Sequence, residues 1–195
     1  MTITVGNTAP VPVIDAPSSS LTWQVGQTIG FSGHATDTQD GTLPASALAW
    51  SVVLHHCSTP TDCHTHAVQS FSGVASGSFS APDHAYPCWL ELQLTATDSG
   101  GLTSTASVRL DPRTVTLTLK TTPNGLRLTL NGSTQVAPIS SVVVVGSANS
   151  VSAPTPQTVK NSTYNFVSWS DGGARSHTVV APATSTTYTA VYRKR

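Results

Sequence analysis

Residues 89–94 read Trp-Leu-Glu-Leu-Gln-Leu, and this alternation decides the fold of the first half of the chain. Successive side chains of a strand point to opposite faces, so the three leucines face a core while Trp89, Glu91 and Gln93 face outward. Residues 48–54 repeat the pattern, with a large apolar side chain at every second position. We therefore predict two strands whose apolar faces share one core.

Short segments rich in β-forming residues recur along the whole chain, separated by Gly, Pro, Asn-Gly and Asp-Gly turns. No stretch keeps the 3.6-residue period of an amphipathic helix. The pattern breaks at the sequence Asp-Pro-Arg, residues 111–113, because proline cannot donate a hydrogen bond to a strand ladder. We predict an all-β chain of two tandem β-sandwich-like modules, residues 1–111 and 112–195, with Trp50 in the first core and Trp169 in the second.

The charge composition narrows the range of partners. Only 9% of the residues are charged, and nine basic side chains balance nine acidic ones. Such a chain lacks the basic surface that binds nucleic acid or an anionic membrane, so neither is predicted as a partner. The longest apolar run, residues 141–146, is too short to cross a bilayer. The first residues lack the regions of a signal peptide, and we expect a monomeric piece of a longer exported protein.

The three cysteines predict one disulfide and one buried thiol. Cys57 and Cys63 flank a short polar loop inside a predicted hairpin whose arms bring the two side chains together. A disulfide between them favours an oxidising, extracellular location. Cys88 is then the odd cysteine, and we predict an inert buried thiol rather than a nucleophile.

Motifs in the first module resemble those of a known bacterial domain. Residues 26–41 (GQTIGFSGHATDTQDG), 48–50 (LAW) and 94–103 (LTATDSGGLT) resemble the polycystic-kidney-disease-like (PKD) domains of bacterial secreted enzymes. The insertion at residues 55–66, which carries histidines and cysteines, resembles the version that follows secreted quinone-dependent sugar dehydrogenases of actinobacteria. The resemblance implies an immunoglobulin-like sandwich for the first module.

Residues 114–195 carry the motif Trp-Ser-Asp-Gly-Gly at 169–173 and resemble bacterial repeat modules related to internalin B-repeats. Both resemblances imply a module that is covalently linked to a polysaccharide-active catalytic domain. Such a module serves as a spacer, a wall-attachment piece or a carbohydrate binder, and fold analogy does not choose among these roles.

A sugar-binding surface requires an exposed aromatic ring beside polar groups that bond hydroxyls. Trp89 and Tyr86 are the best candidates for the ring, and Glu91 and Gln93 supply polar neighbours on the same strand. Trp23, just before another strand, is a weaker candidate. The alternative is that these aromatic side chains are half-buried and pack against the protein itself.

The histidines between residues 55 and 84 predict a metal site. His64 and His66 project from the same face of one strand, and His55 or His56 lies across the predicted hairpin. His84 could complete the set. Neutral imidazole suits zinc or copper, so the prediction is a shared Zn or Cu ion. The alternative is a polar surface without an ion.

Aspartates predict a second, calcium site, because Asp37, Asp40 and Asp98 lie in turns that PKD-like sandwiches bring to one end. The alternative is that each aspartate only shapes its turn. The sequence carries no catalytic motif, so we do not predict an enzyme. Three functions stay open: a polysaccharide-binding accessory module, a purely structural spacer, and a small histidine-ligated metal protein that could be redox-active on polysaccharide.

Overall fold

The computed structural model describes residues 6–59 and 62–195. Within these residues the chain is all-β and sandwich-like, which confirms the predicted fold class, with four sheets and a short 3-10 turn at Ala45–Ala47. The chain forms two compact units, one containing the residues up to Pro82 with Pro87–Pro112, the other Asp83–Tyr86 with Arg113–Arg195. Independent folding of modules 1–111 and 112–195 stays a prediction.

The first unit is built from two sheets that enclose one core. Its strands are β1 (Val11–Ala16), β2 (Thr22–Trp23), β3 (Thr28–Asp37), β4 (Gly41–Thr42), β5 (Leu48–Thr59), β6 (Asp62–Ser72), β7 (Ser76–Ser80), β8 (Cys88–Thr97) and β9 (Thr103–Pro112). In one sheet β3 pairs with β1, β4 and β7. The other sheet has five strands in the order β2-β9-β8-β5-β6.

The predicted alternation on β8 and β5 is confirmed. Leu90, Leu92 and Leu94 are completely buried, while the side chains between them are partly exposed. Trp50 lies in the same core, where its ring is 4.6 Å from that of Phe31 and its Nε1 donates to a backbone carbonyl. Burial of each such side chain contributes about 1.5–3 kcal/mol, so this shared face holds the first unit together.

The second unit also consists of two sheets. Its strands are β10 (Thr114–Thr122), β11 (Arg127–Leu130), β12 (Ser133–Val136), β13 (Ile139–Val144), β14 (Ala148–Ser152), β15 (Gln157–Val159), β16 (Ser162–Trp169), β17 (Ser176–Val180) and β18 (Thr186–Lys194). The sheet orders are β13-β10-β18-β16-β15 and β12-β11-β14-β17. Trp169 is buried in the core, as predicted. The predicted Asn131-Gly132 turn is also confirmed, because both residues have positive φ and connect β11 directly to β12.

Candidate functional site

The β5–β6 hairpin carries the predicted cysteines and most of the predicted histidines. Cys57 pairs directly with Cys63, and the predicted disulfide joins them with a Cα–Cα distance of 4.0 Å. Cys88 on β8 is buried, as predicted. The disulfide therefore clamps the two strands of the hairpin close to its tip.

The side chain of Trp89 points outward and lies between two neighbours. The His55 ring from β5 is stacked on it, with centroids 4.7 Å apart and planes within 9°. The guanidinium carbon of Arg109, from β9, lies 4.4 Å from the Trp89 ring centroid. Because β5 and β9 flank β8 on opposite sides, these neighbours cover opposite faces of the indole. Both faces of the ring are thus covered, so it is not an open platform.

Glu91 extends this arrangement along β8. Its Oε2 accepts a hydrogen bond from His55 Nε2 at 2.9 Å. Partial burial raises the pKa of Glu91, but hydrogen bonds from His55, Ser107 and Gln93 outweigh burial, so the net pKa is lowered. The carboxylate is therefore ionised at neutral pH.

Further polar contacts continue across the same outer face. Gln93 accepts a hydrogen bond from Ser51 at 2.9 Å, and Arg109 donates two hydrogen bonds to Asp111. Five side chains form the centre of this surface, which we name the Trp89 ladder: His55, Trp89, Glu91, Gln93 and Arg109. The ladder combines one amphipathic indole ring, one imidazole, one amide and balanced charges on the outer face of the sheet.

The other predicted sugar-binding aromatics are not part of the ladder. Trp23 is 0% exposed, and its Nε1 donates to the carbonyl of Leu110 at 2.9 Å. A completely buried indole cannot stack on a sugar, so that prediction is wrong and Trp23 is a core residue. Tyr86 is 42% exposed and belongs to the second unit, together with His84. His84 Nδ1 hydrogen-bonds to the carbonyl of Ala85.

The hairpin brings together three of the five predicted metal ligands. His56 pairs directly with His64, with ring centroids 5.0 Å apart, and the His64 and His66 rings are 4.7 Å apart. His55 projects to the opposite face and bonds Glu91 instead. Over residues 6–59 and 62–195, no three His, Cys, Asp or Glu side chains converge on a point where they could hold one metal ion. A zinc or copper site within a single chain stays a prediction.

The three aspartates of the predicted calcium site are engaged in hydrogen bonds, Asp37 and Asp98 with their own turns and Asp40 with Ser99. Asp37 Oδ1 accepts from the N–H groups of Gln39 and Asp40, and Asp98 Oδ1 accepts from that of Leu102. Asp40 accepts from the backbone N–H and the hydroxyl of Ser99, and these bonds lower its pKa. Asp37 and Asp98 thus stabilise their own turns, whereas Asp40 links its turn to the one at residues 98–102. A calcium site at this end stays a prediction.

In the second unit, the Trp-Ser-Asp-Gly-Gly motif forms a turn that is closed by a hydrogen bond between Asp171 and His177. Asp171 Oδ1 accepts from the N–H of Gly173, and its Oδ2 lies 2.9 Å from His177 Nε2. His177 Nδ1 lies 2.7 Å from the carbonyl of Ala174, so both ring nitrogens face acceptors. Burial raises the pKa of Asp171, but the hydrogen bonds from Gly173 and His177 outweigh it and lower the pKa. We name these residues the Asp171 latch: Asp171, Gly173, Ala174 and His177.

Sequence reasoning missed His177 as the partner of Asp171, because a separation of six residues across a turn is not a distinctive spacing. Gly172 adopts φ of +77°, which only glycine reaches without strain. The motif therefore has a local structural explanation and does not by itself indicate a ligand.

Comparison with known proteins assigns no family to the chain. No family model and no curated protein matches the chain. Among solved structures, the sporulation control protein Spo0M from Bacillus subtilis shares 11% sequence identity at a TM-score of 0.36. The match covers 55% of this chain and 49% of Spo0M. A likeness this weak assigns neither family nor function. Across the part of the chain that the structure describes, no helix has the length and apolar character needed to span a bilayer.

Proposed function

We propose that the chain is a non-catalytic accessory module of a secreted carbohydrate-active enzyme and that it binds polysaccharide through the Trp89 ladder. The observation that carries the proposal is a tryptophan on the solvent side of a five-stranded sheet, held between an imidazole and a guanidinium. The side chain of Trp89 is partly exposed there, and its apolar ring with a polar N–H is suited to a contact surface.

Binding requires that one face of the indole open. The side chain of Arg109 is 58% exposed, and its guanidinium donates two hydrogen bonds to one carboxylate oxygen of Asp111, also at the surface. Such a pair contributes about 0–1 kcal/mol, and an exposed cation–π contact like that of Arg109 with Trp89 contributes about 0.5–1 kcal/mol, so displacing the guanidinium costs about 2 kcal/mol at most. The uncovered ring then stacks on the apolar face of a pyranose, while Glu91 bonds the hydroxyls of that sugar. Gln93, about 13 Å beyond Trp89 along β8, bonds those of a neighbouring sugar in the polymer.

The composition and the disulfide support an extracellular polysaccharide as partner. The net charge of zero suits an uncharged polymer. The Cys57–Cys63 disulfide suits an oxidising compartment. The resemblance to PKD domains and to internalin B-repeats, which stays a proposal, supports a covalently linked catalytic domain in the parent protein.

The test is depletion of the purified chain from solution by insoluble cellulose, xylan and chitin. Trp89→Ala is expected to weaken retention about tenfold, equivalent to about 1.4 kcal/mol, because the stacking surface is lost. Trp89→Phe keeps a ring and should retain binding, and Arg109→Ala should bind at least as well as the parent. Val11→Ala, at an exposed position on the other sheet, is the matched control.

A purely structural spacer is the second candidate function. The mutual pairing within the Trp89 ladder favours it, because paired side chains need no ligand to satisfy them. If no glycan retains the chain, glycan binding is excluded and the spacer function stands. If Trp89→Ala binds as the parent does, the glycan does not bind through the Trp89 ladder.

A further inference from the structure

Strand β6 forms the open edge of the five-stranded sheet. It is the last strand in the order β2-β9-β8-β5-β6 and, within the described ranges, pairs with β5 alone. Nearly all of its side chains are exposed. Proteins protect edge strands with short length, lysine, proline or β-bulges. Strand β6 has 11 residues and contains neither lysine nor proline, and its bulge at Val68 leaves residues 63–67 in regular register. This edge is suited to pairing with another strand.

The hydrogen-bonding direction of β6 follows from the disulfide pair. The Cα atoms of Cys57 and Cys63 are 4.0 Å apart, the short separation of a non-hydrogen-bonded antiparallel pair. Consistently, the N–H of Cys57 points toward β8, where it donates to the carbonyl of Pro87. Pairs alternate along an antiparallel ladder, so His56–His64 is a hydrogen-bonded pair and His55–Thr65 is not. Thr65 therefore directs its N–H and C=O to the open edge.

A second copy of the chain can use that edge symmetrically. If two β6 strands pair antiparallel about a two-fold axis at Thr65, each Thr65 donates to and accepts from the other. His64 then lies opposite His66 of the second copy, in a non-hydrogen-bonded pair with Cβ atoms about 4.5–5.5 Å apart. All four imidazoles project from one face, and within each chain the His64 and His66 rings are already 4.7 Å apart.

We propose that β6 pairs with β6 of a second copy and that His64 and His66 of both chains bind one zinc or copper ion at this junction. Strand pairing brings enough histidines together to bind the ion, and the ion stabilises the strand pairing. His56, His64 and His66 of one chain do not converge on one point, and His64 and His66 alone leave a tetrahedral ion half-coordinated. Two copies supply four nitrogens. Two strands paired only at their edges bury far less surface than a stable dimer needs, so the metal ion is required to hold the two chains together. The metal-free chain is a monomer.

The junction is independent of the proposed polysaccharide binding. His55 and Trp89 project from the outer face of the sheet, whereas His64 pairs with His56 and projects from the opposite face. Failure of either proposal therefore leaves the other intact, and glycan retention can be measured with and without metal.

Zinc chloride or copper sulfate added to the full, untagged chain tests the proposal by light scattering after size exclusion. The mass should rise from 20.2 kDa to about twice that value, with one ion per two chains by elemental analysis. His64→Ala should stay monomeric. Thr65→Pro should also stay monomeric, because it removes only the N–H that faces the open edge, whereas Thr65→Val keeps this N–H and should dimerise.

Hydrogen exchange provides a second measurement that does not depend on the folding of a variant. On metal addition the Thr65 amide of the parent chain should become protected. Three results would each overturn the proposal: an unchanged mass in excess zinc and in excess copper, one ion bound per monomer, or a metal-bound dimer in which the Thr65 amide exchanges as fast as in the monomer.

Discussion

Substitution of Gly173 by alanine should destabilise the second unit by displacing His177 from the Asp171 latch. A Cβ at position 173 would lie 2.6 Å from Cδ2 and Cε1 of the His177 ring and closer still to Nε2. The ring cannot shift without losing its bonds to Asp171 and Ala174. We expect the free energy of unfolding to fall by about 1–3 kcal/mol because of the steric conflict and by about 1 kcal/mol because of the lost hydrogen bonds, or by about 2–4 kcal/mol together.

The neighbouring glycine provides a matched control. Gly172 has φ of +77°, and a Cβ added there would meet no heavy atom within 4 Å, so Gly172→Ala should cost only the conformational strain, about 1 kcal/mol. In a His177→Ala background the methyl group of Gly173→Ala has room. The cost of Gly173→Ala should then fall to about 1 kcal/mol or less, a coupling of about 1–3 kcal/mol between the two positions.

Urea unfolding of the full chain, followed by amide resonances of β16 to β18, measures these free energies in the second unit alone. The reasoning is refuted if Gly173→Ala costs no more than Gly172→Ala. It is equally refuted if the cost of Gly173→Ala is the same with and without His177, because the steric conflict would then not involve that ring.

Three further outcomes are expected. Asp171→Asn should lower the free energy of unfolding by about 1 kcal/mol at pH 7 and by progressively less below about pH 4. The reason is that the pKa of Asp171 is lowered in the folded state, so the stability it contributes is lost as pH falls through that pKa. Urea midpoints of the parent and the variant that stay parallel across a pH series contradict this. Trp23→Ala should cost about 3–5 kcal/mol in thermal unfolding without changing glycan retention, since Trp23 is a core residue; a loss below about 1 kcal/mol argues against its burial. The Cys57→Ser/Cys63→Ser variant should lose roughly 2–3 kcal/mol, mainly as faster amide exchange at His56 and His64 beside the disulfide, and unchanged exchange there rules out the clamp.

Local patterns predicted the fold well. Alternation on β8 and β5 placed Trp50 and the leucines of β8 correctly, because a strand with one buried face has only one register compatible with its sequence. The Asn131-Gly132 turn and the Cys57–Cys63 disulfide were predictable because each depends on residues close together in the chain.

Contacts between distant segments were not predictable in the same way. Trp23 lies on a two-residue strand, too short to show alternation, and its hydrogen-bond partner is Leu110. The outward direction of Trp89 followed from alternation, but its coverage by His55 and Arg109 depends on the register of three strands. Sequence alone does not give that register, so it could not reveal that both ring faces are occupied.

Titration of the isotope-labelled chain with soluble cello-, xylo- and chito-oligosaccharides, followed by backbone and indole resonances, tests the proposed polysaccharide binding most directly. Binding through the Trp89 ladder predicts that the largest shifts fall on Trp89, Glu91, Gln93 and Arg109, with the indole N–H of Trp89 among them. Shifts centred on other residues, or no shift with any of the three sugars at millimolar concentration, would contradict it.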